Sequence, residues 1–195
     1  MKNPRNLIRI LILTLFIPFL SGCGYNSLVE QDENIAQQWA QIENAYQRRA
    51  DLIPNLVNTV KGYADFEQET LTQVIEARSK ATSVNINPED LSPEAIEKFE
   101  AAQGQLSSAL SRLLVTVERY PDLKANQNFL ELQAQLEGTE NRIAFERKKF
   151  NDAVGTYNKS VRKFPRNIVA AIFGFDRKGY FESETGAEEA PQVEF

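Results

Sequence analysis

The chain has 195 residues, 42% of them hydrophobic and 25% charged, the balance of a folded globular protein with one domain and extensions. It has no histidine, Cys23 is its one cysteine and Met1 its one methionine. That excludes Ser-His-Asp and Cys-His catalysis, zinc fingers, histidine metal sites and an intramolecular disulfide. The net charge of −5 argues against nucleic acid as a partner. No glycine-rich phosphate loop or other cofactor motif is present, so no cofactor is expected.

Lys2, Arg5 and Arg9 precede an apolar run from Ile10 to Leu20. At 1.5 Å per residue this run is about half of what a bilayer core requires, which makes it a secretory signal rather than a transmembrane span. It ends in Leu20-Ser21-Gly22-Cys23, which resembles the bacterial lipobox. The expectation is a signal peptide over 1–22, cleavage before Cys23, lipidation of Cys23 by diacylglycerol and an N-acyl chain such as palmitate, and a linker over 23–33. Two or more hydrocarbon chains give stable anchoring, on the non-cytoplasmic side of a membrane. Gly24, not aspartate, follows the cysteine, which in a Gram-negative envelope points to the periplasmic face of the outer membrane.

A helical pattern begins near Asn34. Ile35, Trp39, Ile42, Tyr46, Arg49, Ile53, Leu56, Val60 and Tyr63 follow alternating steps of four and three, a coiled-coil-like stripe with one charged member. It continues after a phase shift through Leu71, Val74 and Arg78. Pro54 lies inside it and predicts a kink near Leu52 to Pro54, because proline removes one helical hydrogen bond. Thr82 to Ser92 reads as a loop. Ser92-Pro93-Glu94-Ala95 then predicts an N-cap with proline in the first turn. Ile96, Phe99, Gln103, Leu106, Leu110, Leu113, Val117 and Tyr120 form a second stripe, which stops at Pro121. A third helix is expected to begin between Asp122 and Gln127 and to carry Phe129, Leu132, Leu136, Ile143, Phe150, Val154, Tyr157, Val161 and Phe164. Ile168 to Phe173 predicts a turn or two of amphipathic helix. Phe175, Tyr180 and Phe181, interleaved with Arg177 and Lys178, read as caps on the open end of a bundle, with a membrane surface as the alternative. The fold class is therefore all-α: an elongated antiparallel bundle over 34–181 with three long helices, the first kinked at Pro54, a short C-terminal helix and an acidic disordered tail over 182–195.

Trp39, the run Arg48-Arg49-Ala50-Asp51-Leu52-Ile53-Pro54-Asn55-Leu56-Val57, Lys61-Gly62-Tyr63-Ala64, Glu67, Ala77-Arg78, Tyr120-Pro121-Asp122-Leu123-Lys124-Ala125, Glu140-Asn141-Arg142-Ile143-Ala144, Arg147, Phe150-Asn151, Tyr157-Asn158 and Pro165 together resemble the LemA family of bacterial membrane-associated proteins. The resemblance implies an elongated helical bundle with no established catalytic activity, and a hint of association with membrane proteases. Many relatives look as though they keep an uncleaved N-terminal helix, from which the lipobox departs. Phe150 stands where a tyrosine is common in the family.

Arg49, Glu67, Arg78, Glu140 and Arg147 lie on or beside the apolar stripes, where an unpaired charge is costly. Mutual ion pairs that set helix register are the expected outcome. Asn151 and Asn158, one heptad apart, are placed to hydrogen-bond across an interface. Glu67 and Glu140 as paired carboxylates for glycoside hydrolysis are disfavoured, because carboxylates among arginines stay ionised. A di-iron site lacks its Glu-x-x-His pairs. The chain ends Pro191-Gln192-Val193-Glu194-Phe195, where Val193 and Phe195 alternate before a free carboxylate, a pattern suited to strand addition and carboxylate capture by a partner. The functional expectation is a non-catalytic, lipid-anchored envelope scaffold or adaptor. Its partners are the membrane and envelope or membrane proteins, a membrane protease among them. The alternative is a carrier for an apolar ligand or lipid held between helices.

Overall fold

The computed structural model describes residues 4–62 and 67–182, with side chains from Gly24 onward. Among the described residues six helices follow in order: α1 (Pro4–Lys61), α2 (Gln68–Ser83), α3 (Pro93–Val117), α4 (Pro121–Lys124), α5 (Gln127–Arg162) and α6 (Arg166–Phe173). Among the described residues there is no strand. The all-α bundle follows from the four-and-three spacing of the apolar residues, which gives each long helix one buried stripe.

Local sequence sets several helix ends. Ser92 accepts from the amide of Ala95 with Pro93 in the first turn of α3, and Asn126 accepts from the amide of Phe129 at the start of α5. Both are side-chain caps for amides that a helix leaves unpaired. Gly174, in the left-handed conformation at φ 73°, ends α6 as glycine does at many helix C-termini.

α1 and α5 run antiparallel and pack along their lengths, as do α2 and α3. Two apolar clusters result. One joins Ile53, Leu56 and Val60 of α1 with Leu71 and Val74 of α2, Leu106 and Leu113 of α3, and Phe129 and Leu136 of α5. The other joins Leu28, Ile35, Trp39 and Ile42 of α1 with Ile96 and Phe99 of α3, Phe150, Val154 and Tyr157 of α5, and Phe181. Trp39 lies 5.1 Å from Phe99, 5.8 Å from Phe150 and 6.1 Å from Phe181 between ring centroids.

Three expectations need correction. The segment 23–33, expected as a linker, lies within α1, and Leu28 is fully buried, because it belongs to the same apolar stripe as Ile35. At Pro54, where a kink or a short break was expected, the first helix continues without a break. The carbonyl of Ala50, which a residue-54 amide would normally occupy, instead accepts from Nε of Arg78 at 2.8 Å. The break falls after Lys61, at Gly62, so the Leu71–Val74–Arg78 stripe belongs to a separate α2. Phe164, assigned to the third stripe, lies beyond the end of α5 and is 80% exposed. Beyond Glu182, the acidic tail lies outside the described residues.

Candidate functional site

Between the two apolar clusters lies one polar layer. Arg49 sits on the α1 stripe between Tyr46 and Ile53, with only 1% of its surface exposed. Its guanidinium donates to Ser107 Oγ at 2.8 Å and to Gln103 Oε1 at 2.7 Å, both on α3, and to Glu140 Oε1 at 2.7 Å on α5. Gln103 passes the network on by donating to the Ala81 carbonyl of α2 at 3.2 Å. Four helices thus meet on one buried cation, which favours one register over its slipped alternatives. Glu140 keeps 45% of its side chain exposed, so the pair is buried on one side only.

Arg147 pairs with Glu100 of α3, not with Glu140, and lies over the Phe181 ring at 4.9 Å. Tyr46 lies within the field of both pairs: burial raises its phenol pKa, while Arg147 and Arg49 oppose that rise. Arg78 meets the Ala50 carbonyl rather than a carboxylate. Glu67 pairs with Arg119 at 2.7 Å in an exposed contact. Glu67 thus pairs with Arg119 beyond the C-terminal end of α3 and Glu140 with Arg49 of α1, so the two carboxylates share no partner.

Asn151 and Asn158 bind the chain beyond α6 instead of another helix. Asn158 accepts from the amide of Lys178 at 3.0 Å and donates to the same residue's carbonyl at 2.9 Å. Asn151 does the same for Phe181, at 2.9 and 2.8 Å. One heptad on α5 thus holds two peptide units of an extended segment. Gly179 between them donates to the Leu91 carbonyl at 2.8 Å, and a Cβ there would lie 2.7 Å from Cα of Pro93. The segment ends at Glu182, whose carbonyl accepts from Arg147 at 2.7 Å and whose amide donates to Glu100 at 3.3 Å.

Glu182, with residues 177–180, lines an open groove of about 1420 Å³ between α3 and α5. Ala101, Gly104, Ser108 and Ser111 form its α3 wall, Asn141 and Ala144 its α5 wall, with Tyr46 and Arg49 between them. A Cβ added to Gly104 would meet nothing within 4 Å, so the groove has room to spare on that side.

The spacing of apolar residues left three participants unread. Glu100 and Ser107 flank the α3 stripe without lying on it. Glu146 does fall on the α5 stripe, between Ile143 and Phe150, and could have been found there. Its side chain is fully buried, with Arg142 at 2.7 Å and Lys149 at 3.7 Å, neither in hydrogen-bonding geometry. Among the described residues no group of three or more acidic or cysteine side chains is placed to hold a metal ion. The side chains of Cys23, Val193 and Phe195 lie outside the described residues.

The LemA family model matches residues 38–195. The magnetosome protein MamQ of Magnetospirillum gryphiswaldense is 28% identical over 200 aligned positions, covering 93% of this chain and 72% of the relative. MamQ 1 of Paramagnetospirillum magneticum is 27% identical over 206 positions, covering 96% and 76%. Protein LemA of Metamycoplasma hominis is 28% identical over 160 positions, covering 82% and 69%.

Proposed function

We propose that this chain, which belongs to the LemA family, is a non-catalytic scaffold or adaptor of the cell envelope. In this reading it is anchored by lipid on Cys23 on the non-cytoplasmic side of a membrane and binds membrane or envelope proteins, a membrane protease among them, through the α3–α5 groove and the C-terminal tail. One observation supports it above the others: Asn151, Asn158, Arg147 and Glu100 hold residues 178–182 along the groove. In this reading the tail that follows Glu182 supplies Val193 and Phe195 as the second part of the binding surface. The buried arginine layer serves as framework, since its hydrogen bonds go to side chains of facing helices. Serines, Asn141 and paired charges along the groove suit a peptide better than an apolar ligand, which places the carrier reading second.

The test is a photo-crosslinking residue at Ser108 in the full chain, in its own membrane. A discrete adduct with an envelope protein, missing from the same residue at Ile75 on α2, supports the groove as the binding surface. Identical products from both positions overturn it. The anchor is tested separately by the mass of the mature N-terminal peptide, which should carry acyl chains on Cys23.

A further inference from the structure

Exposed large apolar side chains are unevenly distributed over this molecule. Ile75, Val115, Leu130 and Phe145 occur singly on α2, α3 and α5, as expected of any soluble surface. Phe164, Ile168, Ile172 and Phe173, by contrast, are 80, 51, 71 and 58% exposed and crowd onto α6 and the turn before it. The first three are four residues apart and share the bare face, whereas Phe173, three residues after buried Ala170, lies toward α1 and packs on Tyr25. A contiguous apolar face of this kind marks a binding surface.

Position identifies the occupant. α6 packs against the part of α1 that follows Cys23: a Cβ on Gly24 would touch Val169 at 3.6 Å and Arg166 at 3.7 Å, and Tyr25 lies 4.8 Å from Phe173 between ring centroids. Any attachment through Cys23 or the apolar run before it therefore brings a membrane to the edge of α6. Charge agrees. Residues 159–178 hold six basic side chains and one acidic one, Asp176, in a chain whose net charge is −5. Arg162 and Lys163 are exposed beside the apolar face, and Arg166 is half-buried. A short helix with a bare apolar face and flanking cations is suited to lie in the interface of an anionic bilayer.

We propose that Phe164 and α6 form a second membrane contact, a foot that inserts Phe164, Ile168 and Ile172 into an anionic phospholipid surface beside the N-terminal attachment, with Phe173 at its edge. This rests on the membrane attachment proposed above. Its consequence is orientation: an anchor at one residue leaves the bundle free to swing, whereas two contacts fix how α1 and the groove stand relative to the bilayer.

The experiment uses full-chain protein in phosphatidylcholine vesicles with and without phosphatidylglycerol, each containing trace phosphatidylcholine with a diazirine in its acyl chain. After irradiation, lipid adducts are mapped by peptide mass. The tryptic peptide 167–177 should be labelled, more strongly with phosphatidylglycerol, while the exposed Val115 region should not. The double variant Ile168→Ser, Ile172→Ser should lose this labelling yet remain with the vesicles and keep its helical circular dichroism. Arg162→Glu with Lys163→Glu should abolish the phosphatidylglycerol dependence. Labelling confined to the N-terminal peptide overturns the foot, and equal labelling on both vesicles overturns its anionic preference. The N-terminal peptide mass reads the lipid anchor in the same sample: an unmodified Cys23 with 167–177 labelled defeats the anchor alone, and an acylated Cys23 with 167–177 unlabelled defeats the foot alone.

Discussion

Arg78 takes the place of the amide that Pro54 lacks. Its Nε donates at 2.8 Å to the Ala50 carbonyl, one helical turn before the proline, on a residue only 3% exposed. An interior proline costs a helix about 3 kcal/mol, partly through the unpaired carbonyl, and a guanidinium from α2 restores that bond. Arg78→Ala should destabilise the fold by about 1–3 kcal/mol by stranding a buried acceptor. Pro54→Ala supplies an amide of its own, so Arg78→Ala in that background should cost much less. Equal costs in the two backgrounds, read from denaturant unfolding, would show that Arg78 serves another purpose.

The polar layer makes an asymmetric prediction. Arg49 is buried, whereas Glu140 is nearly half exposed. Arg49→Ala leaves a cavity and an unpaired Gln103 Oε1, and should cost about 3–5 kcal/mol. Glu140→Ala lets water reach the guanidinium and should cost about 1–2 kcal/mol, between an exposed and a buried pair. Arg49→Met, of similar volume, should recover much of the loss. Chemical denaturation of the three variants measures the order, and a larger loss for Glu140→Ala would invert the account.

This layer shows what the chain disclosed and what it withheld. Arg49 was legible as the charged member of an apolar stripe, and Ser92-Pro93 as a helix start, because both signals are local. The partners were not. Which α3 side chain Arg147 meets depends on the rotation of α5 about its own axis, which a heptad pattern leaves open by one position. That same position separates fully buried Glu146 from Arg147, whose side chain is 18% exposed. The donor that reaches the Ala50 carbonyl beside Pro54 is an arginine in another helix, which local rules could not supply. Asn151 and Asn158 were visible as a heptad repeat, but their partners are backbone groups of residues 178 and 181, which carry no side-chain signature.

Those asparagines predict a local effect. Asn158→Ala should remove protection from hydrogen exchange at the Lys178 amide, and Asn151→Ala at the Phe181 amide, with α1 and α5 amides little changed. Asn151→Asp keeps the acceptor for the Phe181 amide and should retain part of that protection. Gly179→Ala, whose new Cβ would press on Pro93, should deprotect both sites together. Uniform loss across the bundle would mean that the segment is integral to the fold rather than docked on it.

Glu43 offers a test by pH. Burial raises its carboxyl pKa, an effect the Trp39 side chain opposes. An acid with a raised folded-state pKa favours folding while protonated, and that advantage is lost as pH rises through the folded value. Glu43→Gln cannot ionise, so it should raise the melting temperature at neutral pH and change it little below about pH 4. A variant less stable than the parent at neutral pH would show the carboxylate to be favourably paired.

Crosslinking from Ser108, repeated in a chain lacking Val193 to Phe195, tests most directly whether tail and groove act as one surface. The truncated chain should keep its melting temperature and its membrane attachment, and the Ser108 adduct should fall several-fold. An adduct of unchanged yield would contradict a shared surface and leave the groove to bind without the tail.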